Sequence, residues 1–130
     1  MAALAGTGVT DAILELDGAE VPILDGSAAP FVFLIDCAGT VSLGLPAPII
    51  EVLRPIRVED RGASAELLPA LTPGFEATLA IDFPATAIGQ QRLGLRVTPA
   101  SFRAGLADAR TFTLAEEIAR LRAAGLAQGG

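Results

Sequence analysis

Two hydrophobic periods organise this chain. In Glu76 to Phe83, apolar Ala77, Leu79, Ile81 and Phe83 alternate with Thr78, Ala80 and Asp82; in Gln91 to Val97, Leu93, Leu95 and Val97 alternate with Arg92, Gly94 and Arg96. Period-two spacing puts each apolar set on one face of a strand. Shorter apolar runs at Ile49 to Leu53, Ile56 to Glu59 and Ala65 to Leu68 predict further strands, and Pro55 between the first two marks an edge or a bulge. Ala12 to Leu16, turning at Asp17-Gly18 and returning through Val21 to Leu24, predicts a hairpin.

The helical segments are marked by their ends. Ser27 to Ala38 predicts a helix that is apolar nearly all round (Phe31, Val32, Phe33, Leu34, Ile35). Ser27 supplies an N-cap oxygen, Pro30 falls in the first turn where its missing donor costs nothing, and Gly39 stops it. A helix of that kind needs cover on several sides. Met1 to Ala5 suits the end of a helix closed by Gly6, and Thr98-Pro99 opens a short helix through Phe102 and Leu106. Thr113-Leu114-Ala115-Glu116 has capping-box spacing before a last helix that places Leu114, Ile118 and Leu121 on one face and ends at Gly125. Residues 40–48, with Gly44, Pro46 and Pro48, read as a linker between two units.

Composition narrows the function. The sequence has 130 residues, of which 52% are hydrophobic, so an ordinary core is expected rather than disorder. The longest uncharged apolar run, Ala28 to Ile35, contains a proline and is far short of the roughly 20 residues that span a bilayer. No basic n-region precedes an apolar stretch, so no secretory leader is expected. Nine basic residues, all arginine, against fifteen acids give a net charge of -6, which disfavours nucleic acid as a partner. The single cysteine, Cys37, excludes an internal disulfide and suits a buried small-hydrophobe role in a reducing compartment.

Histidine is absent altogether. The commonest metal ligand and the usual acid or base near neutral pH are therefore missing, and a Ser-His-Asp or Cys-His device cannot be assembled. Gly6-Thr7-Gly8 lacks the third glycine of a dinucleotide loop, since Asp11 stands there, and no phosphate-loop lysine accompanies the C-terminal glycines. The acid pairs Glu59-Asp60 and Glu116-Glu117 are explained by opposite strand faces and by a helix dipole.

Asp25-Gly26-Ser27-Ala28-Ala29-Pro30-Phe31 is the most specific run in the chain. With Ala2 to Gly6, Arg57-Val58-Glu59-Asp60, Ala109-Arg110-Thr111-Phe112, and Gly125 to Ala127 followed by Gly129-Gly130, it resembles the UDP-3-O-acyl-N-acetylglucosamine deacetylases in order and spacing over nearly the whole sequence. These are zinc-dependent amidohydrolases of lipid A biosynthesis, cytoplasmic enzymes of Gram-negative bacteria. The resemblance is to the middle of the family enzyme. It implies an α+β fold of two incomplete sheet-and-helix sandwich domains, ribosomal S5 domain 2-like halves: residues 1–39 as the second half of domain one, 40–48 as linker, and 49–130 as the first half of domain two. An insert over about residues 77–109 would help build the passage for the substrate's acyl chain.

The same resemblance implies that Thr111 is a catalytic hydrogen-bond donor to the oxyanion, and that Phe112, Ile118, Ala127 and Gly130 lie at or near the acyl passage. Without it, Thr111 reads as a loop hydroxyl bonding local backbone and Ile118 as core. The family's glutamate base and histidine and aspartate zinc ligands fall on segments before Met1 and after Gly130. The expectation is therefore a deacetylase fragment, inactive alone and binding no zinc, whose intact relatives take UDP-linked acylated glucosamine. The alternative is a stand-alone, non-catalytic paralogue that binds an acyl chain or a protein. Thr113 stands where the family has glycine, and Gln128 where it has an aliphatic residue.

Overall fold

The structure, a computed structural model, describes residues 1–84 and 86–126. It is mixed α and β, with helices α1 (Ala2–Thr7), α2 (Ala29–Ala38), α3 (Pro99–Gly105) and α4 (Ala115–Ala123), and strands β1 (Ile56–Asp60), β2 (Ala63–Leu67), β3 (Phe75–Phe83) and β4 (Gly89–Val97). The chain separates into two compact units, Met1–Val41 with Thr98–Gly130, and Ser42–Val97.

The second unit carries two antiparallel hairpins, β1–β2 and β3–β4. Arg61 and Gly62, at φ 48 and 83, turn the first, a conformation whose twist matches that of the flanking strands. In the second, Leu79 pairs with Leu93 and Ala77 with Leu95, so the two apolar sets read from the sequence share a face. Glu76 and Arg96 meet at 3.7 Å on the opposite face, where Gln90 also donates to Asp82. Ala77, Ile81, Phe83, Leu95 and Val97 are half-buried, and Leu79 and Leu93 exposed.

The first unit holds the buried residues Ala3, Val32, Phe102 and Ala107, flanked by Ala28, Ala29, Phe31, Ile35 and Leu106. Helix α3 forms as expected, because the Thr98 hydroxyl accepts from the Ser101 N–H at 3.1 Å while Ser101 returns a bond to the Thr98 N–H at 2.8 Å. Arg103 on α3 and Asp36 on α2 make a two-point ion pair at 2.6 and 3.2 Å. Donation from Arg103 holds the Asp36 carboxyl below the usual carboxylate range.

Several local expectations are corrected. Residues 12–16 and 21–24 form no hairpin: Leu24 adopts φ 53 in a turn closed by Gly26 N–H to Ile23 C=O, and Ile13 is exposed. Residues 49–53 are not a strand either, with Ile49, Ile50 and Leu53 exposed and the ladder starting only after Pro55. Helix α1 runs through Gly6, against which the Phe102 ring lies, and is closed by Gly8 at φ 81 with its N–H donating to the Leu4 and Ala5 carbonyls. Helix α4 has Leu114 as N-cap without a side-chain cap; the Thr113 hydroxyl donates to Glu117 instead, at 2.7 Å. Cys37 is exposed, since α2 buries only Val32.

Candidate functional site

The Asp25–Phe31 run folds into a turn that enters α2. The Asp25 carboxylate accepts from the Ser27 N–H at 3.0 Å and from its hydroxyl at 2.8 Å, and both contacts hold the carboxyl below its usual range, with the Arg110 charge adding to them. Ser27 is buried, and its hydroxyl also accepts from the Ala29 N–H at 3.2 Å. The N-cap of α2 therefore lies one residue later than the sequence indicated. Ser27 caps it from one position outside the N-cap residue, Ala28.

The turn reaches across the sequence. The Ala28 N–H donates to the Ala107 C=O at 2.9 Å, and the Arg110 guanidinium to the Asp25 C=O at 3.4 Å. Two motifs about 80 residues apart in the chain are thus joined, with Thr111 next to the anchored arginine. A hollow of about 410 Å³ lies beside this junction, lined by residues including Ile23, Gly26, Phe31, Leu106 and Ala109.

Thr111 and Phe112 lie in the exposed, non-helical segment between α3 and α4. Among the described residues the Thr111 hydroxyl makes no hydrogen bond, so it is not spent on local backbone. Ile118 is half-buried on α4. Ala127 and Gly130 lie outside the described residues. At the start of α4, donation from Thr113 keeps the Glu117 carboxyl below its usual range. Asp25 was read in the sequence as part of the most specific run and Arg110 as part of the Ala109–Phe112 motif; nothing there paired the two.

The arrangement can present a hydrogen-bond donor but not a metal centre. No group of three or more His, Cys, Asp or Glu among the described residues is placed to hold a metal ion, and the sequence offers no histidine. The residues present do not fit a zinc site. Among the described residues no helix is long and apolar enough to cross a membrane.

A family model described as UDP-3-O-acyl N-acetylglycosamine deacetylase matches residues 1–130. Curated relatives named UDP-3-O-acyl-N-acetylglucosamine deacetylase include one from Phenylobacterium zucineum (strain HLK1), 47% identical over 130 residues, covering 100% of this chain and 44% of the relative. Another from Acidithiobacillus ferrooxidans is 44% identical over 132 residues, covering 100% and 43%. A third from Photobacterium profundum is 42% identical over 131 residues, covering 99% and 42%. The chain thus spans about two-fifths of the length of these relatives.

Proposed function

The chain belongs to the UDP-3-O-acyl N-acetylglycosamine deacetylase family, and on that premise we propose that it is the central part of an enzyme that hydrolyses the N-acetyl group of UDP-3-O-acyl-N-acetylglucosamine in lipid A biosynthesis. Its contribution is a positioned oxyanion donor and part of an acyl-chain passage. The observation that carries this reading is the junction of the Asp25–Phe31 turn with Arg110, next to the exposed Thr111. A fixed hydroxyl aimed at the oxygen of the tetrahedral intermediate stabilises charge that develops only during amide hydrolysis, so it acts on turnover more than on binding.

Phe112 and Ile118, with Ala127 and Gly130, line or adjoin the acyl passage, and residues 77–109 help to form it. The zinc on which the family depends, its ligands and the general base come from segments beyond this sequence, so the chain alone is inactive. In the intact fold, residues 1–39 complete domain one, 40–48 connect, and 49–130 begin domain two, each a ribosomal S5 domain 2-like sandwich. The packing of α1 against α3 then belongs to the interface between the two domains. The enzyme works in the cytoplasm.

The test uses two proteins: the chain as it stands, and the chain extended at both ends by the flanking segments of the Phenylobacterium zucineum relative. Acetate release is measured from the acylated sugar nucleotide. The chain alone should release none, and the extended protein should turn over. Thr111→Val in the extended protein, which keeps size and branching, should lower kcat on the order of 10²-fold with little change in KM. Unchanged turnover per folded molecule refutes the donor role, and turnover by the chain alone refutes the division of labour.

A further inference from the structure

A donor is useful to a transition state only if its position is fixed before the charge appears, and Thr111 sits in a segment with no regular secondary structure. What fixes it must come from elsewhere in the unit. The segment is tied at its start by the Ala107 C=O, which accepts from the Ala28 N–H. It is tied again one residue before Thr111, where the Arg110 guanidinium donates to the Asp25 C=O at 3.4 Å. The arginine stem runs along the turn: a Cβ placed on Gly26 would lie 3.8 Å from Arg110 Cδ.

The turn is itself held independently of Arg110, by the Asp25 carboxylate on the Ser27 N–H and hydroxyl and by the Ser27 hydroxyl on Ala29. Ser27 is buried and anchors the turn, while Asp25 and Arg110, which make the latch itself, are exposed. We infer that Arg110, latched onto the carbonyl of the Asp25–Ser27 turn, is a positioning residue that holds Thr111 in place for the reaction.

The inference rests on the proposed role of Thr111 and makes a demand which that role alone does not. Arg110 and Thr111 are neighbours in the chain, so release of the Arg110 side chain loosens the backbone that carries the threonine. Displacement by about 1 Å can cost on the order of 10²-fold in rate. A partial loss of the latch, with Ala28–Ala107 still in place, should cost on the order of 10-fold. Arg110 acts through Thr111, so its loss should matter little once the hydroxyl has gone. A residue needed only for general stability would show no such dependence.

The experiment is a double-mutant cycle in the chain extended to the length of its relatives, with kcat and KM normalised to folded protein from circular dichroism. Arg110→Met, which keeps the aliphatic stem, should lower kcat about 10-fold and leave KM within about 2-fold. In the Thr111→Val background the same change should alter kcat by less than about 2-fold. If methionine depletes the folded protein, Arg110→Gln repeats the cycle. An equal loss of kcat in both backgrounds, or an unchanged kcat in the single variant, overturns the inference. If Thr111→Val is itself silent, the reading of Thr111 fails first, and the cycle shows that separately.

Discussion

Gly6 offers the sharpest test of how the helical unit is packed, because two well-known effects oppose each other there. Gly6 lies within α1, and replacing an interior helical glycine with alanine ordinarily stabilises by about 0.5–1 kcal/mol through lower backbone entropy in the unfolded chain. At this position, however, the added methyl would land on the ring of Phe102, a buried residue on α3. Inserting a methyl into a filled site costs about 1–3 kcal/mol through displaced side chains and backbone. The steric term wins, and Gly6→Ala should destabilise by about 1–2 kcal/mol.

Gly105, at the end of α3, supplies the control: a Cβ there meets nothing within 4 Å. Its change to alanine should stabilise by a few tenths to about 1 kcal/mol. The assay is urea unfolding followed by far-ultraviolet circular dichroism, with amide exchange in α1 and α3 as a second measure. Gly6→Ala at or above the parent's stability would refute the packing of α1 on α3 around Phe102, whatever Gly105→Ala does.

Two further outcomes follow from charge and exposure. Asp25, Asp36 and Glu117 have carboxyls held below their ordinary range by Ser27, Arg103 and Thr113 respectively. Their contribution is present above the unfolded carboxylate range and is lost as pH falls through the lowered folded values. The melting temperature should be flat above about pH 5 and fall below about pH 4, the more so at low salt; a rise on acidification contradicts the assignment. Phe33 and Leu34 on α2 are 67% and 58% exposed, so the isolated chain should self-associate through apolar surface. Phe33→Glu with Leu34→Lys should reduce association in sedimentation velocity while changing stability by less than about 0.5 kcal/mol, and undiminished association would exclude this face.

Local grammar sufficed where the signal and its effect lie within a few residues. The alternation in β3 and β4 gave their shared apolar face, because period two and antiparallel pairing together leave one choice of side. Thr98 and Pro99 were enough to mark the start of α3, since cap and restricted φ act within one turn; the reciprocal bond from Ser101 came only with the structure. The same grammar failed where partners decide. Residues 12–16 and 49–53 carry apolar strand-like letters, but a strand exists only as a paired ladder, and neither run is paired. Thr113 has the letters of a cap, yet its hydroxyl bonds the Glu117 side chain.

Family membership was legible in the sequence because it rests on ordered motifs, and the absence of histidine alone removes the usual metal ligand and proton carrier. What those motifs do for one another was not legible. That Gly6 must lack a side chain because of Phe102, and that the Asp25–Ser27 turn holds Arg110 beside Thr111, are relations between residues roughly 85 to 95 positions apart. No local propensity encodes such distances. They arise only when α1, α2 and α3 bury Ala3, Val32, Phe102 and Ala107 together, and that burial carries the rest of the segment into place.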